Sequence, residues 1–186
     1  MTTAATPTTA TTTTWTVDPS HSNVEFAVKH LMISTVKGRF GDVKGTVQYN
    51  EANPAQSRVE IEIGIHSIDT RTEQRDQHLR SPDFFDVEKF PTMRFVSRRI
   101  EGDPNGEFKL IGDLTIRDQT REIVLDAEFQ GRNRDPWGGE RMGFEAKGKL
   151  NRKDFGLHWN QALESGGWLV GEDLKLTIEV ELLKQK

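Results

Sequence analysis

The stretch LKLTIEVEL, residues 174–182, places an apolar residue at every second position and a polar one between each pair. A period of two is typical of a β-strand that buries one face and exposes the other to water. The same alternation recurs at intervals from residue 22 onward. We therefore predict eight strands, which cover residues 22–30, 43–49, 59–65, 92–100, 107–116, 123–129, 142–150 and 174–182.

A helix candidate stands between the third and fourth predicted strands. Thr70 and Glu73 have the spacing of a capping box, and good helix formers follow over residues 71–80. Ser81, with a proline after it, is typical of a second short helix start. Leu79 is the one apolar anchor of the first helix, so this helix is too polar to cover the buried face of a sheet.

Eight half-apolar strands without a covering helix must cover one another, in a closed barrel or in a sandwich. Short connections favour pairing between neighbours in the sequence, so we predict an all-β fold, an eight-stranded antiparallel up-and-down barrel with one or two short helices between strands 3 and 4. A barrel of this size is filled by side chains or holds one small ligand. The short connections cover residues 31–35, 101–106 and 117–120.

Two connections are long, and both follow an odd-numbered strand. In an up-and-down barrel, connections after odd strands lie at one end, so residues 67–91 and 151–172 should meet at a common mouth. Long loops in compact domains commonly carry function or form a lid. The aromatic residues that this mouth should gather are Phe84, Phe85, Phe90, Phe155, Trp159 and Trp168.

The composition of the 186 residues suits one domain. The first fourteen residues, MTTAATPTTATTTT, lack the features of a signal peptide and are predicted to be a disordered tail, so the domain should cover residues 15–186. No apolar run approaches the length of a membrane helix, so we expect a soluble protein without a membrane span, and the lack of an export signal favours a cytoplasmic location. A net charge of -4 argues against nucleic-acid binding, and the absence of cysteine excludes disulfides and thiol catalysis.

Four polar residues near the helix candidate could be drawn as a metal site: His66, Asp69, Glu73 and His78. Their spacing matches no dedicated zinc motif, and polar residues around a helix start are the commoner explanation. We therefore predict no metal site.

Catalytic patterns are scarce in this sequence. It contains no nucleophile-elbow motif and no glycine-rich phosphate loop, so we predict no catalytic residue and no cofactor. His30 shares the inward parity of Phe26 and Val28 and could orient the polar end of a ligand. A core histidine bonded to the backbone explains the same pattern.

Four motifs stand in a fixed order along the chain. They are Asp18-Pro19-Ser20-His21-Ser22 with Val24-x-Phe26-x-Val28-x-His30, Leu79-Arg80-Ser81-x-Asp83-Phe84-Phe85-Asp86-x-x-x-Phe90-Pro91, Gly112-x-Leu114-Thr115-Ile116, and Arg152-x-Asp154-Phe155-Gly156. Together they resemble the signatures of the YceI-like domain family over residues 15–183. The resemblance implies a lipocalin-like eight-stranded barrel whose elongated apolar cavity binds isoprenoids or other long-chain amphiphiles, commonly as a homodimer and without established catalysis.

The function expected from the resemblance and from the scarcity of catalytic motifs is non-enzymatic binding, transport or storage of an isoprenoid or other long-chain amphiphilic lipid. Two alternatives stay open: an enzyme that acts on a hydrophobic substrate with His30 as its base, and an interaction barrel with a solid core. Parity and position at the mouth select the predicted ligand-binding residues, which are Phe26, Val28, His30, Ile63, Phe84, Phe85, Phe95, Leu114 and Phe144.

Overall fold

The computed structural model describes residues 11–186 of the chain. It contains eleven strand segments and one α-helix, with four short 3-10 turns between them. The strands are β1 (Thr12–Val17), β2 (Asn23–His30), β3 (Ser34–Phe40), β4 (Val43–Asn50), β5 (Arg58–Gly64), β6 (Ile68–Asp69), β7 (Thr92–Gly102), β8 (Glu107–Ile116), β9 (Gln119–Arg134), β10 (Glu140–Asn151) and β11 (Val170–Lys184), and the helix is α1 (Glu73–Arg80).

The eleven segments make eight barrel strands, because three barrel strands are bent and each counts as two segments. β1 and β2 together form the first barrel strand, and both pair with the same edge of β11. β3 and β4 form the second barrel strand, in which β4 pairs with β1 and β3 pairs with β2. β5 and β6 in turn lie along β4 and β3. All of these pairs are antiparallel, and β11 closes the ring by pairing with β10 on its other edge. The predicted all-β, eight-stranded up-and-down barrel is confirmed.

The strand pattern was incomplete at the N-terminal side. β1 begins at Thr12, so the predicted boundary of the disordered tail at residue 14 is wrong for residues 12–14, while residues 1–10 lie outside the described part of the chain. Threonine is β-branched and suits a paired strand as well as a low-complexity tail. The wholly buried indole of Trp15, whose Nε1 donates to Thr13 Oγ1 at 2.9 Å, holds β1 in the barrel.

β3 was missed for a related reason. Gly38 stands at an inward position where the pattern calls for a large apolar residue, so the alternation is hidden in the sequence. The ring of Phe26 from β2 occupies that space, since a Cβ added to Gly38 would overlap with Phe26 Cζ. The turn between β2 and β3 consequently covers residues 31–33 only, and not residues 31–35.

The start of the helix also differs from the prediction. α1 begins at Glu73, and the residue that precedes it, Thr72, makes no side-chain cap. The Thr70 hydroxyl does not cap the helix but donates to the buried carboxylate of Asp76, whose oxygen also accepts the Thr70 amide at 3.0 Å. The second helix start is wrong as well: Ser81 ends α1, and turns follow it.

No helix in the described part of the chain is long and apolar enough to cross a bilayer.

One ion-pair network joins the bend between β1 and β2 to the last two strands. The guanidinium of Arg141 on β10 donates to Asp18 at 2.7 Å, to Asp135 at 2.9 Å and to Glu181 at 2.6 Å. These side chains are mostly shielded from water, and charge-assisted hydrogen bonds are stronger than neutral ones. Arg141 therefore holds the site where the barrel closes.

We expect Arg141→Gln to lower the free energy of unfolding clearly more than a surface ion-pair variant does, because three carboxylates lose a common cation. Urea unfolding followed by circular dichroism measures the loss. Arg39→Gln is the matched control, since Arg39 makes one exposed pair with Asp69 at 3.6 Å and should cost below about 1 kcal/mol. Equal losses for the two variants would contradict the structural role of Arg141.

Candidate functional site

The barrel contains a cavity of about 260 Å³. Side chains from all eight barrel strands line it, together with residues of the connections at both ends, and the lining is almost entirely apolar. An apolar cavity of about 150 Å³ in another protein stays dry and takes up benzene. The larger volume here is a site for an apolar molecule, and it shows that side chains do not fill the interior.

A pair of alanines explains part of the open space. Ala127 on β9 and Ala146 on β10 are directly paired and both line the cavity, so two neighbouring strands present methyl groups at the same level. Phe108 and Phe144 border the cavity nearby, with their rings edge to face at 6.0 Å. At this level the cavity is therefore bordered by two methyl groups and two aromatic rings.

Eight of the nine predicted residues line this cavity, and His30 does not. β2 keeps a regular register with β3 up to the pair His30–Ser34, while its pairing with β11 shifts between Val170 and Leu174. His30 therefore lies at the last position of β2, beyond the residues of this strand that line the cavity. The imidazole is half-buried, and the prediction that His30 faces the lumen is wrong. For the other eight residues, contact with a ligand stays a prediction. These residues are Phe26, Val28, Ile63, Phe84, Phe85, Phe95, Leu114 and Phe144.

Several lining residues were missed, although the same parity could have found most of them. Met93 and Leu110 are inward on the strands that supplied Phe95 and Leu114, and Leu176 is inward on the predicted strand 174–182. Phe40 lies on β3, which was not predicted. Leu79 was not predicted to line a cavity, because the placement of α1 over the barrel end depends on tertiary packing.

The predicted common mouth is present in the structure. His78 from the first long connection stacks edge-on against Trp159 from the second, with ring centroids 4.6 Å apart, and Phe84 lies 5.4 Å from the same indole. Arg117, in the turn between β8 and β9, donates to the Phe84 carbonyl at 3.2 Å. Both long connections therefore meet at one end of the barrel. Trp168 belongs to this end but is half exposed.

The two adjacent phenylalanines have different surroundings. Phe84 is only 6% exposed and packs with His78 and Trp159, outside the central core. Phe85 is half-buried, and its ring meets Phe40 edge to face at 6.0 Å. Both residues line the cavity, so the segment that contains them closes part of the barrel end and also borders the mouth of the cavity.

Phe84→Ala should reduce the free energy of unfolding by about 3 kcal/mol or more, because a fully packed ring leaves a cavity behind. Phe85→Ala is the matched variant and should cost less, since part of its ring borders open space. Urea titration of both variants gives the two values. A larger loss for Phe85→Ala would contradict these assignments.

Arg152 is buried at the mouth beside the cavity. Its guanidinium donates to the carbonyls of Gly171 at 2.8 Å, Leu157 at 2.6 Å and Trp159 at 2.8 Å. Burial lowers the pKa of this group below its ordinary value. The hydrogen bonds to three backbone carbonyls show that Arg152 holds the long connection between β10 and β11 in place.

The four residues considered for a metal do not converge. Asp69 pairs with Arg39, Glu73 with Arg80, and His78 Nε2 lies 2.8 Å from Asp83 Oδ2. Within residues 11–186, the one set of carboxylate and imidazole atoms close enough to share an ion is that of Asp18, His21 and Glu181.

In this second set, Arg141 already donates to one carboxylate oxygen of Asp18 and to one of Glu181. The pKa of Asp18 lies well below its ordinary 3.8, chiefly because it accepts from Ser20, then from His21 and Arg141. The pKa of His21 lies above its ordinary 6.5, mainly through Asp18 and then Glu181. The cluster acts as an ion-pair network at the closure of the barrel.

The signs of these shifts set the pH windows. The raised pKa of His21 means that its pairing stabilises the fold below pH 6.5 and is lost as the pH rises through the folded value. The lowered pKa of Asp18 means that its hydrogen bonds stabilise the fold above pH 3.8, and this stabilisation is lost as the pH falls through the folded pKa. NMR titration of the His21 ring should give a midpoint above 6.5, which Asp18→Asn should lower. A midpoint that Asp18→Asn leaves in place would contradict the pairing.

Comparison with known proteins adds a second line of evidence. The model of the family described as YceI-like domain matches residues 15–182. The protein YceI of Salmonella newport is 39% identical over 168 residues, which cover 89% of this chain and 83% of that protein.

Two solved structures resemble the barrel. A YceI protein of Campylobacter jejuni is 35% identical, with a TM-score of 0.72 over 85% of this chain and 90% of the other. A polyisoprenoid binding domain from Saccharophagus degradans has a TM-score of 0.71 over 92% of this chain and 98% of its own, and at 12% identity it shows a common fold alone.

Proposed function

The chain belongs to the YceI-like domain family, and from this premise we propose that it binds the apolar tail of an isoprenoid or other long-chain amphiphile inside the barrel, for transport or storage. The observation that carries the proposal is the nearly wholly apolar cavity of about 260 Å³ inside the barrel. The polyisoprenoid binding domain of Saccharophagus degradans offers a precedent for such a ligand on this fold.

Transfer from water accounts for affinity without specific polar contacts. Each buried methylene contributes about 0.8 kcal/mol, so a tail of roughly ten carbons supplies several kcal/mol even after the cost of ordering it. A charged head group would lose its hydration in such a lining and gain almost no partner. The ligand should therefore lie with its chain in the barrel and its head toward a mouth.

The two alternative functions receive less support. A solid-core interaction barrel requires an interior filled by side chains, and the interior holds a cavity. An enzyme with His30 as base requires that imidazole beside the substrate, and His30 does not line the cavity. We therefore propose binding without turnover. A homodimer and a cytoplasmic location stay predictions, to be measured by sedimentation velocity and by fractionation of cells.

We expect Ala146→Phe to weaken binding of a neutral apolar fluorophore, N-phenyl-1-naphthylamine, at least tenfold, because the new ring fills the cavity. Val124→Phe is the control, since Val124 is 46% exposed on the neighbouring strand β9. It should leave the affinity within twofold. Fluorescence titration measures both constants, and thermal unfolding confirms that each variant folds.

The natural ligand can be sought in the same preparations. Organic extraction of the purified protein, followed by mass spectrometry, should recover a long-chain amphiphile from the wild type and much less from Ala146→Phe. A wild-type protein that yields no lipid and ignores added polyprenyl lipids and the fluorophore would overturn the proposed function.

A further inference from the structure

The turn between β2 and β3 exposes three apolar residues in a row. Met32 is 67% exposed and Ile33 is 82% exposed, while Leu31 stands at 36%. Trp168, from the connection before β11, is 51% exposed at the same end of the barrel. We call these four residues the apolar tip. Contiguous apolar side chains on a surface commonly mark a contact with a partner or a membrane.

The backbone of this turn does not favour the residues that it carries. Leu31 and Met32 have φ angles of 52° and 60°, in the left-handed region where asparagine and glycine are preferred. The turn is closed by the Ile33 amide, which donates to the His30 carbonyl at 3.1 Å. Because strained conformations concentrate at functional sites, the presence of large apolar residues here indicates selection for their side chains.

The two parts of the apolar tip form one surface. The Leu31 amide donates to the Leu169 carbonyl at 2.9 Å, which fastens the turn to the connection that carries Trp168. A Cβ added to Gly167 would lie 2.8 Å from Met32 Sδ, and Gly167 has a φ of 90°. Glycine at this position therefore lets the loop approach Met32 closely.

The apolar tip adjoins the cavity mouth. Val170, two residues after Trp168, lines the cavity, and so do Phe84, Phe85 and Leu157 from the long connections at this end. None of the four tip residues lines the cavity itself. A surface that held the apolar tip would therefore lie close to the entrance of the binding site.

The hairpin that carries most of the apolar tip has two exposed lysines without a carboxylate partner among the described residues. Lys29 on β2 and Lys37 on β3, opposite Ala27, are exposed on the outer face of the hairpin. In the described part of the chain neither lysine forms an ion pair with a carboxylate. Lys153 is neutralised by Glu172 at 2.6 Å, and Glu164 is the acidic residue of the loop that carries Trp168. Two free lysines on a chain of net charge -4 form a local match for anionic head groups.

We propose that the apolar tip, with Lys29 and Lys37, docks the protein on the surface of a bilayer that contains anionic lipid. Trp168 would lie at the level of the head groups, where indole rings are favoured, and Ile33 would enter the boundary of the acyl chains. The lysines contribute electrostatic attraction. That an amphiphile then passes between bilayer and cavity rests on the proposed function, whereas the docking does not.

Vesicle binding tests the proposal on the full chain. Wild-type protein should sediment with vesicles of phosphatidylcholine and phosphatidylglycerol in a ratio of 3:1, and 0.5 M salt should weaken the binding. Ile33→Ser and Trp168→Ser should each reduce the partition constant at least fivefold. Lys29→Glu combined with Lys37→Glu should reduce it on anionic vesicles and leave binding to pure phosphatidylcholine nearly unchanged.

Trp137 provides a matched control, because it is 85% exposed in the connection between β9 and β10, at the opposite end of the barrel. Trp137→Ser should keep vesicle binding within twofold of wild type. An equal loss in Trp137→Ser, or wild-type protein that stays in the supernatant, would overturn the proposal. So would a shift from dimer to monomer in Ile33→Ser at unchanged vesicle binding, since the apolar tip would then contact a second copy.

Binding of N-phenyl-1-naphthylamine without vesicles separates this proposal from the function of the cavity. Ile33→Ser and Trp168→Ser should keep wild-type affinity for the fluorophore, because neither side chain lines the cavity. If the fluorophore binds and vesicles do not, the docking is wrong and the cavity function stands. If the protein binds vesicles but not the fluorophore, the docking is supported and the proposed function of the cavity is wrong.

Discussion

Strand β11 pairs with β10 along one edge and with β1 and β2 along the other, so the last barrel strand hydrogen-bonds to both neighbours. Without that second pairing, the sheet would keep open edges with unpaired amides and would leave its apolar face in water. When the ring is closed, each strand directs every second side chain into the lumen. The Arg141 network stands at this closure, and it links the bend after β1 to β10 and β11.

Closure also explains why the barrel has a cavity. Eight strands set an internal width that large side chains can fill, and small residues at a common level leave space. Ala127 and Ala146 meet side by side inside, whereas Gly38 makes room for the ring of Phe26 and adds no empty volume. The long connections shape the mouth, where Arg152 fixes one of them through backbone carbonyls. A cavity for an apolar tail and an apolar surface beside its entrance are thus products of one architecture.

Strand alternation predicted the barrel and the common mouth, and together with position at the mouth it selected eight residues of the lining, because parity within a strand follows directly from backbone geometry. It failed where a local pattern is ambiguous. Threonines hid β1, Gly38 hid β3, and the inward parity of His30 did not show that the cavity lining on β2 ends at Val28. The capping box of Thr70 was overridden by a buried carboxylate, that of Asp76, which lies six residues away and took both Thr70 donors.

The sequence by itself determined that the chain is all-β, that its strands bury one face, and that its two long connections share an end, since each of these follows from a period of two and from counting. Only the tertiary structure decided that the interior stays open, because the volume depends on which side chains meet across the lumen. It also decided that Leu31, Met32 and Ile33 lie beside Trp168: residues more than 130 positions apart become neighbours only when β11 pairs with β2.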